Sequence, residues 1–302
     1  MTLKISIVIP CLNAADYILK TLLSVQKQGY ENLEVIVVDG KSSDTTLDVL
    51  SRVSGLNLRI VSEPDRGQLD ALQKGLKLAT GDILYWLNAD DILMPGTLRF
   101  VERLFREDAG LDLVFSDDFA FEESKQVLSV GATIRNFTYM EHVLFYRQMY
   151  SECVFWRASR TRLLPDSYFH LRLCTDYAFF ANLRCGLKEK WVRKRLGAFR
   201  IVPNQVSKRF ADRLRTERDF IRTQIYERHG WTPAGILARR MAYAPRFLVV
   251  QCLYPALERG LRKLHRVLTG NRRRNAMAKR FFDVWLCEGP TQTEADILLM
   301  DH

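Results

Sequence analysis

The sequence predicts an α/β fold, with a mostly parallel sheet flanked by helices. Two features of the first 120 residues carry that prediction. Short runs rich in β-branched residues alternate with amphipathic stretches of helical length. The runs are apolar at nearly every position, as in strands covered on both faces. No repeat and no low-complexity tract interrupts the alternation.

Taken in order, Ile5–Ile9, Leu33–Val38, Leu58–Val61, Ile83–Leu87 and Leu111–Phe115 read as strands. Between them, Ala15–Lys27, Asp44–Val53, Gln68–Leu78 and Gly96–Phe105 read as helices, with Ser43 placed to cap the second. This spacing implies right-handed crossovers between parallel strands. Residues 116–210 are less regular, although Cys174–Arg184 reads as a helix and Gly197–Val202 as a short strand. Beyond about residue 211 the pattern turns helical and basic, so a main domain over 1–210 and an extension over 211–302 are expected.

A chain of 302 residues with 47% hydrophobic and 26% charged residues has an ordinary globular balance. No uncharged apolar run reaches 18 residues, so no clear membrane-spanning helix is expected. The opening MTLKISIVIPCLN has too short an apolar run for a signal peptide, and a cytosolic location is expected. Six scattered cysteines without a CxxC pair read as free thiols. The net charge of +10 is unevenly spread: residues 235–280 hold twelve Lys and Arg against the single acid Glu258.

Several acids follow apolar runs. Asp39 ends VIVVD, and Asp90 and Asp91 end ILYWLNADD. The carboxyl edge of an open parallel sheet is where ligands bind, although an Asp there also serves as a turn former or helix cap. Adjacent carboxylates repel each other unless a cation is present, and Mg²⁺ or Mn²⁺ shared with substrate phosphates fits such a pair. Neither GxGxxG nor GxxxxGK[ST] occurs, which disfavours a Rossmann dehydrogenase and a P-loop enzyme.

The segments SIVIPCLNAADYI, VIVVDGKSSDTT and EPDRGQLDALQKGLKLATGDILYWLNADD, in that order and spacing, resemble family 2 glycosyltransferases across roughly residues 4–210. The resemblance implies the GT-A fold and an inverting, nucleotide-sugar-dependent transferase. It implies that Pro10 and Asn13 lie where the first loop touches the nucleotide, and Asp39 where an acid accepts the N3–H of the base. It places Asp65, Gly67 and Asp70 beside base, ribose and donor, and Asn88, Ala89 and Asp90 in the DxD-like motif. Asp90 would bind the metal and diphosphate, with Asp91 assisting. The catalytic base is expected at Asp176 in Leu173-Cys174-Thr175-Asp176-Tyr177, just after an acceptor-side segment, QMYSECVFWRAS. A helix-start acid favoured by the helix dipole is the plainer reading of Asp176.

The sequence departs from the family pattern in places. Asn88 replaces the first acid of DxD, leaving a weaker metal ligand, and Val202 stands where many relatives carry His. Arg200 or Lys208 is a candidate for the missing positive charge. The QxxRW motif of processive relatives is absent, since Gln205 and Arg209 have the wrong spacing, so transfer of a single sugar is expected.

In the extension, Met241–Leu257 is apolar but broken by Pro245, Arg246 and Pro255. Leu257, Leu261, Leu264 and Leu268 recur at helical spacing among Arg259, Arg262, Lys263 and Arg266, and Arg272, Arg273 and Arg274 follow. Residues 241–280 therefore suit an anionic membrane surface, with the enzyme peripheral at its inner face. A helical subdomain packed on the catalytic domain is the competing reading, and nucleic acid is not an expected partner. The expected partners are a UDP-sugar or another nucleoside-diphosphate sugar and a glycan or lipid-linked acceptor, with a divalent Mn²⁺ or Mg²⁺ as cofactor. The pathway implied is bacterial surface polysaccharide: O-antigen, capsule or exopolysaccharide. A degenerate, membrane-bound scaffold and a sugar nucleotidyltransferase are the alternatives; the loop Pro10–Asp16 lacks the glycine and lysine of the latter.

Overall fold

The computed structural model describes residues 2–117, 119–125, 127–130, 137–202 and 213–249. The first half alternates β1 (Ile5–Cys11), α1 (Ile18–Gln26), β2 (Leu33–Asp39), α2 (Thr46–Ser51), β3 (Leu58–Ser62), α3 (Gln68–Leu78) and β4 (Ile83–Trp86). Then come β5 (Ile92–Leu93), α4 (Thr97–Glu107), β6 (Leu113–Ser116), β7 (Phe119–Glu122), β8 (Val127–Val130) and α5 (Tyr139–Phe145). The described chain closes with β9 (Val154–Arg157), α6 (Thr175–Leu183), β10 (Glu189–Val192), β11 (Gly197–Arg200), α7 (Leu214–Arg228) and α8 (Pro233–Phe247).

Seven strands form the main sheet in the order β10-β6-β9-β4-β1-β2-β3. It is parallel except at β9, which runs antiparallel to both β4 and β6. A second sheet has the order β5-β11-β7-β8. The chain winds from β1 outward to β3 and then returns to β4 on the other side of β1. That reversal opens a crevice at the carboxyl ends of β1 and β4.

Side-chain alternation along β1 sorts the core into two layers. Ile5, Ile7 and Ile9 pack with Ile18, Leu22 and Val25 of α1 and with Leu98, Val101 and Phe105 of α4. Val8 faces Leu69, Leu72 and Leu76 of α3, in a layer that also holds Trp86, Trp156, Phe179 and Phe180. This explains the near-continuous apolar runs: each strand feeds both layers.

Local hydrogen bonds trim several elements. The Ala14 and Ala15 N–H groups donate to Thr46 Oγ1 and Asp44 Oδ2 at 2.8 and 3.2 Å, so α1 begins at Ile18, after Ala15. Asp44 Oδ1 accepts the Thr46 N–H at 3.0 Å, and α2 begins there. Ser43 does not cap that helix; its N–H donates to Asn13 Oδ1 at 2.8 Å. The strands β5, β7, β8, β9 and β10 and helix α5 are too short to show periodicity in the sequence.

Helix α7, beyond residue 210, packs against the preceding domain. Ile221 and Ile225 of α7 are buried in the α3/α6 layer. Glu217 of α7 accepts the N–H groups of Arg172, Leu173 and Cys174 at 2.9–3.0 Å, tying down the segment that leads into α6. Glu217 offers these N–H groups a charge-assisted anchor. No residue of α8 is buried. Among the described residues no helix is long and apolar enough to cross a membrane. Lys208, Gln205, Arg209 and the basic positions from Leu257 to Arg274 lie outside the described residues.

Gly75 shows how closely α3 sits on the sheet, since a Cβ there would collide with Val8 Cγ1 and press on Val38 Cγ2 at 3.1 Å. Alanine improves helix propensity by about 1 kcal/mol, but Val8 is a β-branched residue on the central strand and cannot yield cheaply. The overpacking term of about 1–3 kcal/mol wins. Gly75→Ala is expected to lower the denaturant midpoint in equilibrium unfolding.

Candidate active site

The loops that follow β1, β2, β3 and β4 meet at the crevice. Pro10 is buried near the end of β1, opposite Val38 of β2 and past the last β4 pair at Trp86, where its missing N–H leaves no gap in that ladder. Asn13 has a left-handed backbone (φ 50°), and its N–H and side-chain carbonyl clasp Ser42 and Ser43. The first and second loops are thus one unit.

Asp39 is fully buried at the end of β2. Its carboxylate accepts the Ser42 N–H at 3.2 Å, the Ser42 hydroxyl, and the Ser62 hydroxyl at 2.7 Å from its registered partner on β3. Asp65 lies directly over the backbone of Gly40, where a Cβ would collide with its Oδ2. Burial raises its pKa, opposed by the Gly67 N–H at 2.8 Å. Gly67 itself has φ 132°, a conformation that favours glycine, and Arg172 occupies the space a side chain would need. Asp70 is turned away from this group. Burial works to raise its pKa, but the Arg66 side chain and N–H, at 3.0–3.3 Å, outweigh that and hold it low.

At the end of β4, Asn88 is held by four hydrogen bonds. Its Oδ1 accepts from Trp86 Nε1 and Gln68 Nε2, both at 2.9 Å. Its Nδ2 donates to Asp91 Oδ2 at 3.0 Å and Ser151 Oγ at 3.1 Å. Ala89 is buried, and its carbonyl, like that of Asp91, accepts the Thr21 hydroxyl of α1. Asp91 is fully buried, with Oδ1 accepting the Arg200 N–H at 2.9 Å. Burial, then the neighbouring Asp90 charge, push its pKa well up. Both carboxylate oxygens of Asp91 thus face protein donors, Oδ1 the Arg200 N–H and Oδ2 the Asn88 amide.

Asp90 is half-buried, and burial raises its pKa against its own N–H and the charge of Arg200. Arg200, from β11, donates Nε to the Asp90 carbonyl at 2.7 Å and pairs with Glu123. It is 1% exposed, so β11 brings a buried cation behind the acids. Val202 is half-buried just beyond. Among the described residues no three His, Cys, Asp or Glu side chains are grouped to hold a metal by themselves. A divalent ion shared with a diphosphate needs only one or two protein carboxylates, and Asp90 offers one. The residues fit an ion that arrives with its substrate.

Asp176 opens α6. Its Oδ2 accepts the Ser151 N–H at 3.0 Å, and its Oδ1 is 3.4 Å from the Thr175 hydroxyl. Burial pushes its carboxyl up to about 6, against the hydrogen bonds from Ser151 and Thr175. Thr175 donates to Gln68 Oε1 at 2.7 Å. A chain of contacts therefore runs from Asp176 through Thr175, Gln68, Asn88 and Ser151 back to Asp176. Gln68, Ser151, Thr175, Ser62 and Gly40 escape sequence reasoning. Ser62 lies one residue beyond the expected strand Leu58–Val61, in register with Asp39.

The Glycosyl transferase family 2 model matches residues 6–156. A PGL/p-HBAD biosynthesis glycosyltransferase of Mycobacterium bovis is 32% identical over 184 residues, covering 60% of this chain and 68% of its own length. Among solved structures, S. aureus TarS 1-349 in complex with UDP-GlcNAc matches with a TM-score of 0.59 at 16% identity, over 82% of this chain and 76% of that one. Glucosyl-3-phosphoglycerate synthase from Mycobacterium tuberculosis, in complex with Mn²⁺, UDP and glucosyl-3-phosphoglycerate, matches with a TM-score of 0.50 at 19% identity, over 77% of this chain and 82% of that one. The two structural likenesses establish a shared fold.

The raised carboxyl of Asp176 has a stability consequence. Its folded pKa of about 6 lies above the ordinary carboxyl value of 3.8. The folded state therefore binds the proton more tightly, and the stability this gives is present below that ordinary value and lost as pH rises through about 6. At neutral pH the ionised carboxylate costs on the order of 1–3 kcal/mol. Asp176→Asn keeps an acceptor for the Ser151 N–H without the charge. It is expected to unfold at higher temperature than the wild type at pH 7.5, with the gap closing by pH 4; calorimetry at both pH values checks this.

Proposed function

The chain belongs to the family 2 glycosyltransferases and is a glycosyltransferase, and from that premise we propose that it moves one sugar from a nucleoside-diphosphate sugar to an acceptor hydroxyl, with inversion. The observation that carries the reading is the placement of Asp176. A carboxylate with pKa near 6 is joined through Ser151 and Asn88 to the turn holding Asp90. A base of that strength is largely ionised at neutral pH and still basic enough to take a proton.

In this reading, Asp39 and Asp65 flank the base and ribose of the donor, and Gly40 and Gly67 make room for the Asp65 and Arg172 side chains beside it. A UDP-sugar is the first donor to test, since the TarS structure of the same fold holds UDP-GlcNAc. Asp176 removes the acceptor proton as its oxygen bonds to the anomeric carbon. The bond from that carbon to the diphosphate breaks on the opposite face, and the electron pair leaves with the nucleoside diphosphate. Asp90 would hold Mn²⁺ or Mg²⁺, which supplies charge stabilisation to the departing diphosphate. The buried Arg200 cation favours the ionised form of Asp90, against the burial that raises its pKa.

For the acceptor we propose a glycan or lipid-linked glycan of surface polysaccharide, reached at the inner face of a membrane. Leu237 and Met241 of α8 are 60% and 69% exposed, and with Leu248 just beyond they fall on one helical face. Arg239, Arg240 and Arg246 share that helix, and the sequence from 235 to 280 is strongly basic. This combination matches an anionic lipid surface.

The deciding experiment screens UDP-, GDP- and dTDP-sugars with Mn²⁺, Mg²⁺ or EDTA, following released nucleotide. One donor is expected to respond, enhanced by metal. Asp176→Asn should cut turnover by about 10²–10⁴-fold while nucleotide affinity stays within about threefold. Asp90→Ala should remove the metal enhancement of diphosphate binding. Turnover unaffected by Asp176→Asn would end the base assignment. For the membrane, Leu237→Glu with Met241→Glu in the full chain should reduce sedimentation with phosphatidylglycerol vesicles; sedimentation at the wild-type level would remove α8 from that role.

A further inference from the structure

The hydrogen-bond ring around Asp176 has a direction fixed at one point. An indole N–H only donates, so the Asn88 atom facing Trp86 Nε1 at 2.9 Å must be the carbonyl oxygen. That choice settles the rest. The Asn88 amide nitrogen then faces Ser151 Oγ, which accepts from it and turns its own proton towards Asp176. On the other arm, the Gln68 group facing Asn88 Oδ1 must be its NH₂, which leaves Gln68 Oε1 facing Thr175.

Thr175 has one hydroxyl proton and two acceptors within reach. Gln68 Oε1 lies at 2.7 Å and Asp176 Oδ1 at 3.4 Å. The shorter contact takes the proton. The two carboxylate oxygens of Asp176 are therefore unequal. Oδ2 receives the Ser151 N–H at 3.0 Å, while the side-chain contact described for Oδ1 is the longer one from Thr175 at 3.4 Å.

We propose that Gln68 is a positioning residue that withholds the Thr175 proton from Asp176, leaving Oδ1 as the atom that accepts the proton from the substrate hydroxyl. The inference deepens the assignment of Asp176 as base and rests on it. A hydrogen bond to a carboxylate stabilises the charged form and weakens the base, so Gln68 keeps Asp176 basic by occupying its neighbour. The other charged and titratable groups nearby are Asp91 beyond Asn88, Cys174 on the preceding residue and Glu217 of α7 beneath the Arg172–Cys174 segment. None of them contacts Oδ1 among the hydrogen bonds described. Burial and the hydrogen bonds from Ser151 set how readily Asp176 ionises, and the Thr175 hydroxyl at 3.4 Å adds only a long contact.

The test reads the Asp176 titration in two ways: the acid limb of kcat/KM against pH, and the ¹³C carboxyl shift of aspartate-labelled full-length protein, with Asp176→Asn identifying the signal. Gln68→Leu releases the Thr175 hydroxyl to Asp176, and the midpoint should fall by about one pH unit. Thr175→Val removes a proton that was not directed at Asp176, so its midpoint should stay at the wild-type position. The double variant should return to that position as well, a reversal that a merely structural role for Gln68 would not produce. A Gln68→Leu midpoint that stays or rises overturns the proposal. So does a Thr175→Val midpoint that rises, because Thr175 would then have been donating to Asp176; this variant decides the matter even if Gln68→Leu does not fold. The NMR titration stands without turnover. Should Asp176→Asn remain active, the base assignment falls, and the carboxyl titration still reports where the Thr175 proton goes.

Discussion

Asn88 makes four hydrogen bonds with one amide, and the arrangement of the crevice depends on them. The amide sits where β4 ends and the ladder to β1 runs out, so apart from Trp86 its neighbours lie outside the sheet. The amide fixes them instead. Trp86 lies on the strand, Gln68 at the start of α3, Asp91 in the turn and Ser151 in the short turn before β9. An aspartate at this position would accept from Trp86 and Gln68 but would have nothing to donate to Asp91 or Ser151. It would also add another carboxylate beside Asp90, Asp91 and Asp176, each already pushed up by burial. The neutral side chain is the one that satisfies the site.

The second sheet answers the charge problem from behind. β11 pairs with both β5 and β7, and this places Arg200 against the acid turn. A buried guanidinium is costly unless it is paired. Here it donates to the Asp90 carbonyl, pairs with Glu123, and stacks over Phe121 at 4.6 Å. Its own N–H holds Asp91 in place. A side chain and a backbone group of one residue therefore fix two adjacent acids in different roles: Asp91 turned into the protein and Asp90 left half-buried at the crevice.

Much of the main sheet was legible in the sequence because β1, β2 and β4 are buried on both faces and their β-branched runs show it. The positions of Asp39, Asp65 and Asp90 followed from the resemblance and from the rule that ligands sit at strand ends. The centre of the sheet was less legible. β9 inserts between β4 and β6 from about 70 residues later than β4, and its four residues carry no periodic signal. The ring of Gln68, Ser151 and Thr175 was illegible for the same reason, since it joins residues 20 to 107 positions apart. The four partners of Asn88 were not legible because a motif specifies which atoms a position has, not which groups surround it.

Burial at Asp176 and the support beneath it belong to one design. A carboxylate ionised in a partly desolvated place is held at a cost in folding free energy, and the segment that presents it must not relax to relieve that cost. Glu217 on α7 grips three successive N–H groups just ahead of it. Ile221 and Ile225 press the same helix into the core. From the other side, Trp86 packs edge-on to Phe179 at 5.7 Å and sends its indole N–H to Asn88. The same aromatic thus packs α6 in the core and orients the polar ring at the crevice. The rigid side of that ring is made of groups that can only donate or only accept, and the adaptable hydroxyls of Ser151 and Thr175 fall into line behind them. This is why the local chemistry of one carboxylate reaches back to a tryptophan in the middle of the sheet.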